Sequence, residues 1–388
     1  MKRLYLIIAI AFMFHLMMGI TRPFISLFAA ELGADTFEIG MLASTYALLP
    51  LILAIPIGKA ADRLSDRLPI LLGITAASAG IAIPYLFPYL ASLYVSQALV
   101  GISLIAVMIT LQKVIGHMSV SANRDQHFGW LTVSVALSGV AGPIVGGMLV
   151  QYYSYGTAFA AAAASGLLPF LLSFALPVRS RSEIHPREQE KTDSALSLLR
   201  IPMLRKALAT SALVLYSRDV YIAYFPLFAS QFGMSVSTIG WIIGVQALMM
   251  VIVRLFLSRL TAKFGREIVL WGSIALAGCA FLLVPLSHEI VLCGFVSALM
   301  GAGLGCGQPL SMTTTYNASP PHRTGEVLGL RLAFNRLTQM IAPLFFGLVG
   351  AWAGIVAVFY VSGTFLIGGA MFAALPDDAA KKKRAEKA

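Results

Sequence analysis

The chain has 388 residues, of which 58% are hydrophobic and only 12% are charged. Soluble domains carry roughly 45–50% apolar and about 25% charged residues, so this composition argues against a water-soluble enzyme. The 28 lysines and arginines exceed the 17 aspartates and glutamates and give a net charge of +11. In a soluble chain that excess would suggest nucleic-acid binding. In so apolar a chain, what matters is where the basic residues lie.

Long apolar stretches follow one another along the whole chain. About 20 apolar residues suffice for a helix to cross a bilayer, and the strand-like alternation of an outer-membrane barrel is absent. The predicted spans are 5–30, 37–57, 69–88, 91–113, 128–150, 156–176, 204–230, 236–257, 268–287, 289–313, 328–350 and 353–375. The first is too long for a signal-peptide core, so we expect it to be retained. We predict an all-α membrane protein with twelve transmembrane helices.

The connections between spans alternate in charge. One set holds Lys2, Arg3, Lys59, Arg63, Arg67, Arg124, Arg179 to Lys206, Arg259, Lys263, Arg266, Arg323 and Lys381 to Lys387. The other set, near 31–36, 89–90, 151–155, 231–235, 288 and 351–352, holds neither lysine nor arginine. Because basic connections stay in the cytoplasm, both termini are predicted there, in a multi-pass protein of the cytoplasmic (inner) membrane.

The chain divides into two similar halves. We predict an N-terminal six-helix bundle at 1–176, a cytoplasmic linker at 177–203, a C-terminal six-helix bundle at 204–376 and a basic cytoplasmic tail at 377–388. A shift of 200 residues superposes Gly33 on Gly233, Gly40 on Gly240, Gly101 on Gly301, Gly129 on Gly329, Gly147 on Gly347 and Pro143 on Pro343. The same topology in both halves indicates a parallel internal repeat.

The connection between spans 2 and 3 carries a recognisable motif. It reads Gly58-Lys-Ala-Ala-Asp62-Arg63-Leu-Ser65-Asp66-Arg67 and resembles Gly-x-x-x-Asp-Arg-x-Gly-Arg-Arg of the major facilitator superfamily, with Ser65 and Asp66 as departures. A small residue at Gly58 permits close helix approach, and Asp62 near a helix start would pair with basic groups and the positive helix end. An ordinary basic loop is the alternative. The resemblance implies the major facilitator fold.

Span 5 resembles the proton-coupled drug exporters of that superfamily. Their pattern Gly-x8-Gly-x3-Gly-Pro-x2-Gly is met by Gly129, Gly142, Pro143 and Gly146, with Ser138 at the second glycine position. Small residues let a neighbouring helix approach, and a proline kinks the helix. Generic small-residue packing is the alternative. The resemblance favours export over uptake.

Span 4 departs from the same exporters. Their pattern Arg-x-x-Gln-Gly corresponds to Gln97-Ala-Leu-Val100-Gly101 here. The neutral Gln97 stands where the family has an arginine associated with proton handling. The coupling mechanism therefore need not follow that of the family.

Charged residues within spans are costly and are functional candidates by default. The basic ones are Arg22, Lys113, Arg218, Arg254, Arg331 and Arg336. Snorkelling to the membrane surface would explain Lys113 and Arg254. Asp219, the one acid predicted deep in a span, is either a structural ion-pair partner or a proton carrier. Adjacent helix residues point about 100° apart, so we expect Arg218 or Asp219, but not both, to reach the cavity.

The remaining candidates concern the proton and the substrate. His15 lies seven residues before Arg22, on nearly the same helix face, and is a second candidate proton carrier, or simply a packing histidine. With Arg331 counted in the cavity, arginines outnumber Asp219 and favour a neutral, amphiphilic or anionic substrate. Tyr216, Tyr221, Tyr224, Phe225 and Phe334 are candidates for a partly apolar wall, with packing inside the bundle as the commoner role of such rings. Candidate polar contacts are Gln97, Gln112, Gln246, Asn335 and Gln339. The three cysteines are expected to be buried thiols.

These features predict a secondary active transporter and not an enzyme. We expect proton-coupled efflux of a small neutral, amphiphilic or anionic organic compound by alternating access, through His15, Arg22, Gln97, Arg218, Asp219, Arg336 and Gln339. A proton-coupled importer of a small organic anion or sugar is the alternative, and a non-transporting sensor or lipid scramblase is a third class. We expect no cofactor, no metal and no nucleic acid, with the proton gradient as energy source and a monomer in the lipid bilayer as the working unit.

Overall fold

The structure, a computed structural model, describes residues 2–118, 124–176, 195–319 and 324–374. These ranges contain helices and no β-strand, and the helices form twelve successive spans. Their bounds are Lys2–Thr21 with Arg22–Phe24 and Ile25–Glu31, Thr36–Arg63, Arg67–Leu86, Leu90–Met118, Arg124–Tyr152, Tyr155–Ser165 with Leu167–Ser173, Pro202–Gln231, Val236–Phe264, Arg266–Leu283 with Val284–Leu286, Ile290–Asn317, Thr324–Ala353 and Ile355–Ala374. The predicted all-α fold of twelve helices is confirmed.

Eleven of these spans, counted over the described residues, are long and apolar enough to cross a membrane. The exception is span 7, Pro202–Gln231, because it contains Arg205, Lys206, Arg218 and Asp219. Each polar residue in a membrane helix needs protein or cavity around it. The least apolar span is therefore the first place to look for a functional site.

Span 1 is broken near its middle. An α-helix ends at Thr21, a 3-10 turn covers Arg22–Phe24, and a second α-helix begins at Ile25. Pro23 has no N–H to donate to the carbonyl of Gly19, so the regular ladder cannot continue. The predicted continuous helix is thus interrupted beside Arg22.

The two halves repeat their local structure as well as their sequence. Spans 2 and 8 are each entered through a glycine in the left-handed region, Gly33 with φ 91° and Gly233 with φ 71°. At the start of span 2, the Asp35 carboxylate accepts a hydrogen bond from the backbone N–H of Glu38 at 2.7 Å. At the start of span 8, the Ser235 hydroxyl accepts one from the backbone N–H of Thr238. Both caps satisfy N–H groups that a helix start leaves unpaired. We call the side of these turns the acidic side, and the opposite side, where span 8 ends at Phe264, the basic side.

The bundles of spans 1–6 and 7–12 meet on the acidic side through two equivalent contacts. A Cβ at Gly40 would overlap the carbonyl oxygen of Pro343 in span 11, and a Cβ at Gly240 would overlap that of Pro143 in span 5. Within each bundle, Gly101 meets the Tyr46 carbonyl just as Gly301 meets the Gln246 carbonyl. Residues 200 apart therefore make the same contacts, as a parallel repeat requires.

The connection between spans 2 and 3 differs from its prediction. Span 2 continues through Arg63, so Asp62 lies in the last turn of a helix and not near a helix start. Asp66, directly before span 3, pairs with Lys113 of span 4 at 3.2 Å, and this pair replaces the predicted snorkelling of Lys113. Arg67 donates through Nε to the carbonyl of Ser173 at 3.2 Å. The surroundings of Gly58 and the side chains of Asp62 and Arg63 are outside the described part.

Several predicted segments also lie partly or wholly outside the described residues. These are 177–194 of the linker and the tail 377–388. Residues 195–203 of the predicted linker contain a 3-10 helix, Ala195–Arg200, and the first residues of span 7. Among the cysteines, Cys293 and Cys306 are buried as expected, but Cys279 is exposed on the surface of the bundle. The expectation of three buried thiols is therefore wrong for Cys279.

Candidate functional site

A cavity of about 230 Å³ lies between the two bundles. Its walls come from spans 1, 2, 4, 5, 7, 8 and 11. The polar and charged residues that line it are His15, Arg22, Tyr46, Ser138, Arg218, Asp219, Gln246, Arg336 and Gln339. Six of the seven predicted pathway residues are thus brought to one space, although they come from three different spans.

An ion pair joins the two bundles at this cavity. The Nη2 atom of Arg22 in span 1 lies 2.8 Å from Oδ1 of Asp219 in span 7, and the side chains keep exposed fractions of only 29% and 11%. Gln339 of span 11 donates through Nε2 to the other oxygen of Asp219 at 2.7 Å. Arg336 in turn donates to Oε1 of Gln339 at 3.0 Å. Arg336 is therefore linked to Asp219 only through the side-chain amide of Gln339, whereas Arg22 forms a direct ion pair with Asp219.

A second, smaller cavity of about 40 Å³ adjoins the ion pair toward the acidic side. Arg22, Gln97 and Asp219 line it together with Ser26 and Tyr46. One water molecule needs at least about 10–15 Å³ and two to four polar partners, so this chamber has room and partners for water. Gln97, the seventh predicted pathway residue, therefore faces the ion pair from the acidic side.

Tyr46 is the residue that sequence analysis missed. Its ring lies under the guanidinium of Arg22, 4.5 Å from the Arg22 Cζ atom to the ring centroid. A cation over an aromatic face gains electrostatic stabilisation, which grows when both groups are shielded from water. The available signal was positional: Tyr46 is the repeat partner of Gln246 at the shift of 200 residues.

Arg218 and Asp219 both line the cavity, so the expectation that only one would reach it is wrong. The cavity extends around span 7, and two directions 100° apart therefore open onto the same space. Asp219 bonds to spans 1 and 11 as described above. No hydrogen bond or ion pair is found for Arg218 among the residues that the structure describes.

His15 lies on the cavity wall, toward the basic side from Arg22. Its Nδ1 atom is 2.9 Å from the carbonyl oxygen of Ala11. Since a carbonyl can only accept, Nδ1 carries the hydrogen, and Nε2 is left as the atom that can take a proton. The Phe14 ring meets the imidazole edge-on at 5.7 Å, which also suits a packing role.

The cavity is sealed on the acidic side. The hydroxyl of Tyr224 donates to the Pro343 carbonyl at 2.8 Å, beside the Gly40 contact, and the Val236 N–H donates to Oε1 of Gln151 at 3.1 Å, beside the Gly240 contact. The Gly40 and Gly240 contacts, with these hydrogen bonds beside them, therefore close the acidic side.

The glycines of the span 5 motif contact two neighbouring helices, span 1 of the same bundle and span 8 of the other. Cβ atoms on Gly142 and Gly146 would collide with the backbone of span 1, the first at 2.7 Å from the Gly19 Cα and the second at the Ile20 carbonyl. Gly147 faces Val236 at the start of span 8. Gly129, by contrast, has no atom within 4 Å of where its Cβ would lie. Close approach therefore explains three of these glycines and does not explain Gly129.

Other predicted contributors do not reach the cavity. Arg331 is 7% exposed between spans 10 and 11, where it donates to Oε1 of Gln308 and to the Ser311 hydroxyl, both at 3.0 Å. Arg254 donates to the Gly305 carbonyl at 3.0 Å, so it is held by span 10 and does not simply snorkel. Counting Arg331 among the cavity charges was wrong, because its side chain points into its own bundle.

The candidate aromatic rings do not line the cavity, and the alternative of packing describes them better. Tyr221 is fully buried and bonds to the hydroxyl of Ser297, and it stacks on Phe225 at 4.7 Å. Tyr216 and Phe334 line a separate apolar crevice of about 890 Å³ between spans 7, 11 and 12. These rings face the interior or the crevice because their positions on spans 7 and 11 are turned away from the cavity.

Comparison with known proteins agrees with this architecture. The family model described as Major Facilitator Superfamily matches residues 7–228 and again 207–388. The tetracycline resistance protein, class B, of Escherichia coli is 26% identical over 80% of this chain and 78% of its own. Multidrug resistance protein 1 of Bacillus subtilis is 24% identical and covers 87% of each chain.

A solved structure of similar shape is a POT family transporter in complex with 5-aminolevulinic acid. It superposes with a TM-score of 0.79 over 96% of this chain and 95% of its own. The sequences are only 15% identical, so this likeness speaks for the fold alone.

Proposed function

Because the chain belongs to the Major Facilitator Superfamily, we propose that it exports a small neutral, amphiphilic or anionic organic compound in exchange for protons. The observation that carries this proposal is the inter-bundle cavity, sealed on one side and crossed by an ion pair between the bundles. The tetracycline and multidrug resistance relatives and the small-residue pattern of span 5 support export. The volume of about 230 Å³ is below the usual 300–1,000 Å³ of drug-sized sites, which supports a small substrate.

Alternating access then consists of moving the bundles about this cavity. To open the acidic side, the contacts at Gly40 and Gly240 must separate, and Arg22 must move away from Asp219. Protonation of Asp219 would weaken its attraction for Arg22 and so lower the cost of that separation. Asp219 is therefore our first candidate for the coupling group, and water in the 40 Å³ chamber would be its route to the acidic side.

The direct test is flux in everted membrane vesicles that contain the full chain. Imposing a proton gradient, with the inside acidic, is expected to drive into the vesicles a small neutral, amphiphilic or anionic compound that raises the melting temperature of the purified protein. Uptake by intact cells, with no accumulation in everted vesicles, would contradict export. Compounds that bind but show no gradient-coupled flux would instead support a non-transporting sensor or a lipid scramblase.

A second candidate, proton-coupled import of a small organic anion, is favoured by the charge of the cavity. Among the described residues that line it, Arg22, Arg218 and Arg336 stand against the single carboxylate of Asp219. Protonating Asp219 makes the cavity more positive, so proton and anion would each favour binding of the other. Mutual attraction of this kind suits transport of both in one direction. The same vesicle assay distinguishes the two candidates by the sign of the flux.

We further propose that the basic side faces the cytoplasm and that both termini lie there, in the cytoplasmic membrane. Trp352 on the acidic side is 94% exposed and Phe264 on the basic side is 48% exposed. A membrane-impermeant maleimide is expected to label Trp352→Cys in intact cells and Phe264→Cys only after permeabilisation, measured above the signal of the unaltered chain. The reverse pattern would contradict the proposed orientation.

His15→Gln tests the second candidate proton carrier. If Nε2 carries the proton, gradient-driven flux is expected to fall by about tenfold or more, because glutamine cannot take up and release a proton. Substrate exchange without a gradient should survive, because the cavity keeps its shape. His288→Gln, in an acidic-side connection, is the matched control. Equal losses in driven flux and exchange would instead mark His15 as a packing residue.

A further inference from the structure

The one carboxylate among the described residues that line the central cavity is already engaged. Both oxygens of Asp219 are used, one by Arg22 and the other by Gln339. The side-chain oxygen of Gln339 accepts from Arg336. Among the described residues that line the cavity, no anionic acceptor is therefore left for a further cation.

Donors, in contrast, remain without partners. Arg218 carries five N–H groups, and no acceptor for them is found among the described residues. Gln246, which also lines the cavity, is 1% exposed, and its Nε2 atom has no hydrogen-bond partner in the described part of the chain. The buried Gln246 donor is costly to leave unmatched, whereas the half-buried Arg218 donors are open to water or to a ligand. A ligand that supplied acceptors would remove this cost.

The charges of the cavity are unbalanced in the same sense. Arg22 and Asp219 neutralise one another, which leaves Arg218 and Arg336 uncompensated among the described residues that line the cavity. Arg218 is repelled by Arg22 and attracted by Asp219, yet Asp219 is already bound to Arg22. Arg218 is half-buried, and a cation in a partly shielded site attracts a counter-charge more strongly than it would in bulk water.

We propose that the cavity binds a small organic anion whose carboxylate lies against Arg218 and accepts from Gln246. The guanidinium fork matches a carboxylate with two parallel hydrogen bonds. The rest of the ligand lies against Met18, Leu215 and Ile243, which also line the cavity. A monocyclic aromatic carboxylate is of suitable size for a site smaller than drug-sized ones. This inference rests on the proposed function only in taking the cavity as the transport site.

The test is a matched series of ligands offered to the purified full chain in detergent. Benzoate, benzamide and benzylammonium share a ring and differ in charge, and inorganic phosphate is an anion without a ring. We expect benzoate alone to raise the melting temperature in a concentration-dependent manner. Stabilisation by benzylammonium or benzamide equal to that by benzoate would overturn the proposed charge, and equal stabilisation by phosphate would overturn the organic part.

Variants at Arg218 locate the effect. Arg218→Gln is expected to weaken benzoate binding at least about tenfold, since a charge-assisted hydrogen bond is lost. Arg218→Lys, which keeps the charge without the fork, should bind with intermediate affinity and keeps the test informative if Arg218→Gln does not fold. Arg259→Gln, at an exposed position on the basic side, should bind like the unaltered chain. Full affinity in Arg218→Gln would overturn the proposal.

Failure of this inference can be told apart from failure of the transport proposal. Arg218-dependent benzoate binding without gradient-coupled flux supports the anion site and contradicts transport. Proton-coupled flux of a neutral or cationic compound, in a protein that does not bind benzoate, supports transport and overturns the anion site. The two measurements are independent because binding in detergent needs no gradient.

Discussion

Asp219→Asn is expected to abolish gradient-driven transport and to lower the stability of the protein. The amide keeps the shape of the carboxyl group but cannot neutralise Arg22, which lies 2.8 Å away. Removing one partner of a buried ion pair costs about 3–5 kcal/mol. We expect a loss near the lower end of that range, about 3 kcal/mol, because 29% of the Arg22 side chain is exposed. Thermal unfolding in detergent and proton-driven flux in proteoliposomes measure the two effects.

The double variant Arg22→Gln with Asp219→Asn separates a structural role from a coupling role. Removing both charges leaves no unpaired ion, so most of the lost stability should return. If Asp219 carries the coupling proton, driven flux stays absent in this stable protein. Recovery of flux together with stability would show that the pair serves only to hold span 1 against span 7.

Gly240→Ala is expected to reduce transport by about tenfold or more through a steric effect on closure. The added methyl group would overlap the Pro143 carbonyl oxygen and lie 3.3 Å from the Gly147 Cα. Overpacking of a tight contact costs typically about 1–3 kcal/mol, and that cost falls only on the state in which the acidic side is closed. The equilibrium should therefore shift toward a state open on that side.

Spin labels report this shift directly. Tyr153 and Trp352, on the acidic side of the two bundles, are 73% and 94% exposed, and the distance between labels there should increase in Gly240→Ala. Gly40→Ala, the repeat partner, should act in the same way through Pro343. Gly272→Ala is the matched control, because no atom lies within 4 Å of its added Cβ. If the distance between the two labels is unchanged in both Gly240→Ala and Gly40→Ala, the proposed role of these contacts is contradicted.

The cavity gives these predictions a common basis. The contacts at Gly40 and Gly240 decide whether the acidic side can close. The ion pair of Arg22 and Asp219 lines both the 40 Å³ and the 230 Å³ cavities next to these contacts. A proton that reaches Asp219 from one space, or an anion that reaches Arg218 from the other, changes the charge balance across the same inter-bundle contact. Coupling between ligand and proton then needs no long pathway, because both act on one ion pair.

The prediction from sequence was most successful for features that depend on a short stretch of the chain. A bilayer requires about 20 apolar residues in each helix, so the spans could be read from composition along the chain. The internal repeat was also visible, because Gly40, Gly240, Pro143 and Pro343 are held by backbone contacts that admit no side chain. Polar residues in spans are rare, and this is why Arg22, Arg218 and Asp219 could be singled out.

In contrast, only the tertiary structure decided which charged residues pair with one another and in which direction each side chain points. The ion pair joins residues 197 positions apart, and nothing in either local sequence selects Arg22 over Arg336 as the partner of Asp219. Arg331 was expected in the cavity but is bound within its own bundle, and Tyr46 was overlooked beneath Arg22. Hydrophobicity determines that a helix crosses the membrane, whereas its rotation and its neighbours determine which charges meet. Those depend on packing of the two bundles against each other, which no single span encodes.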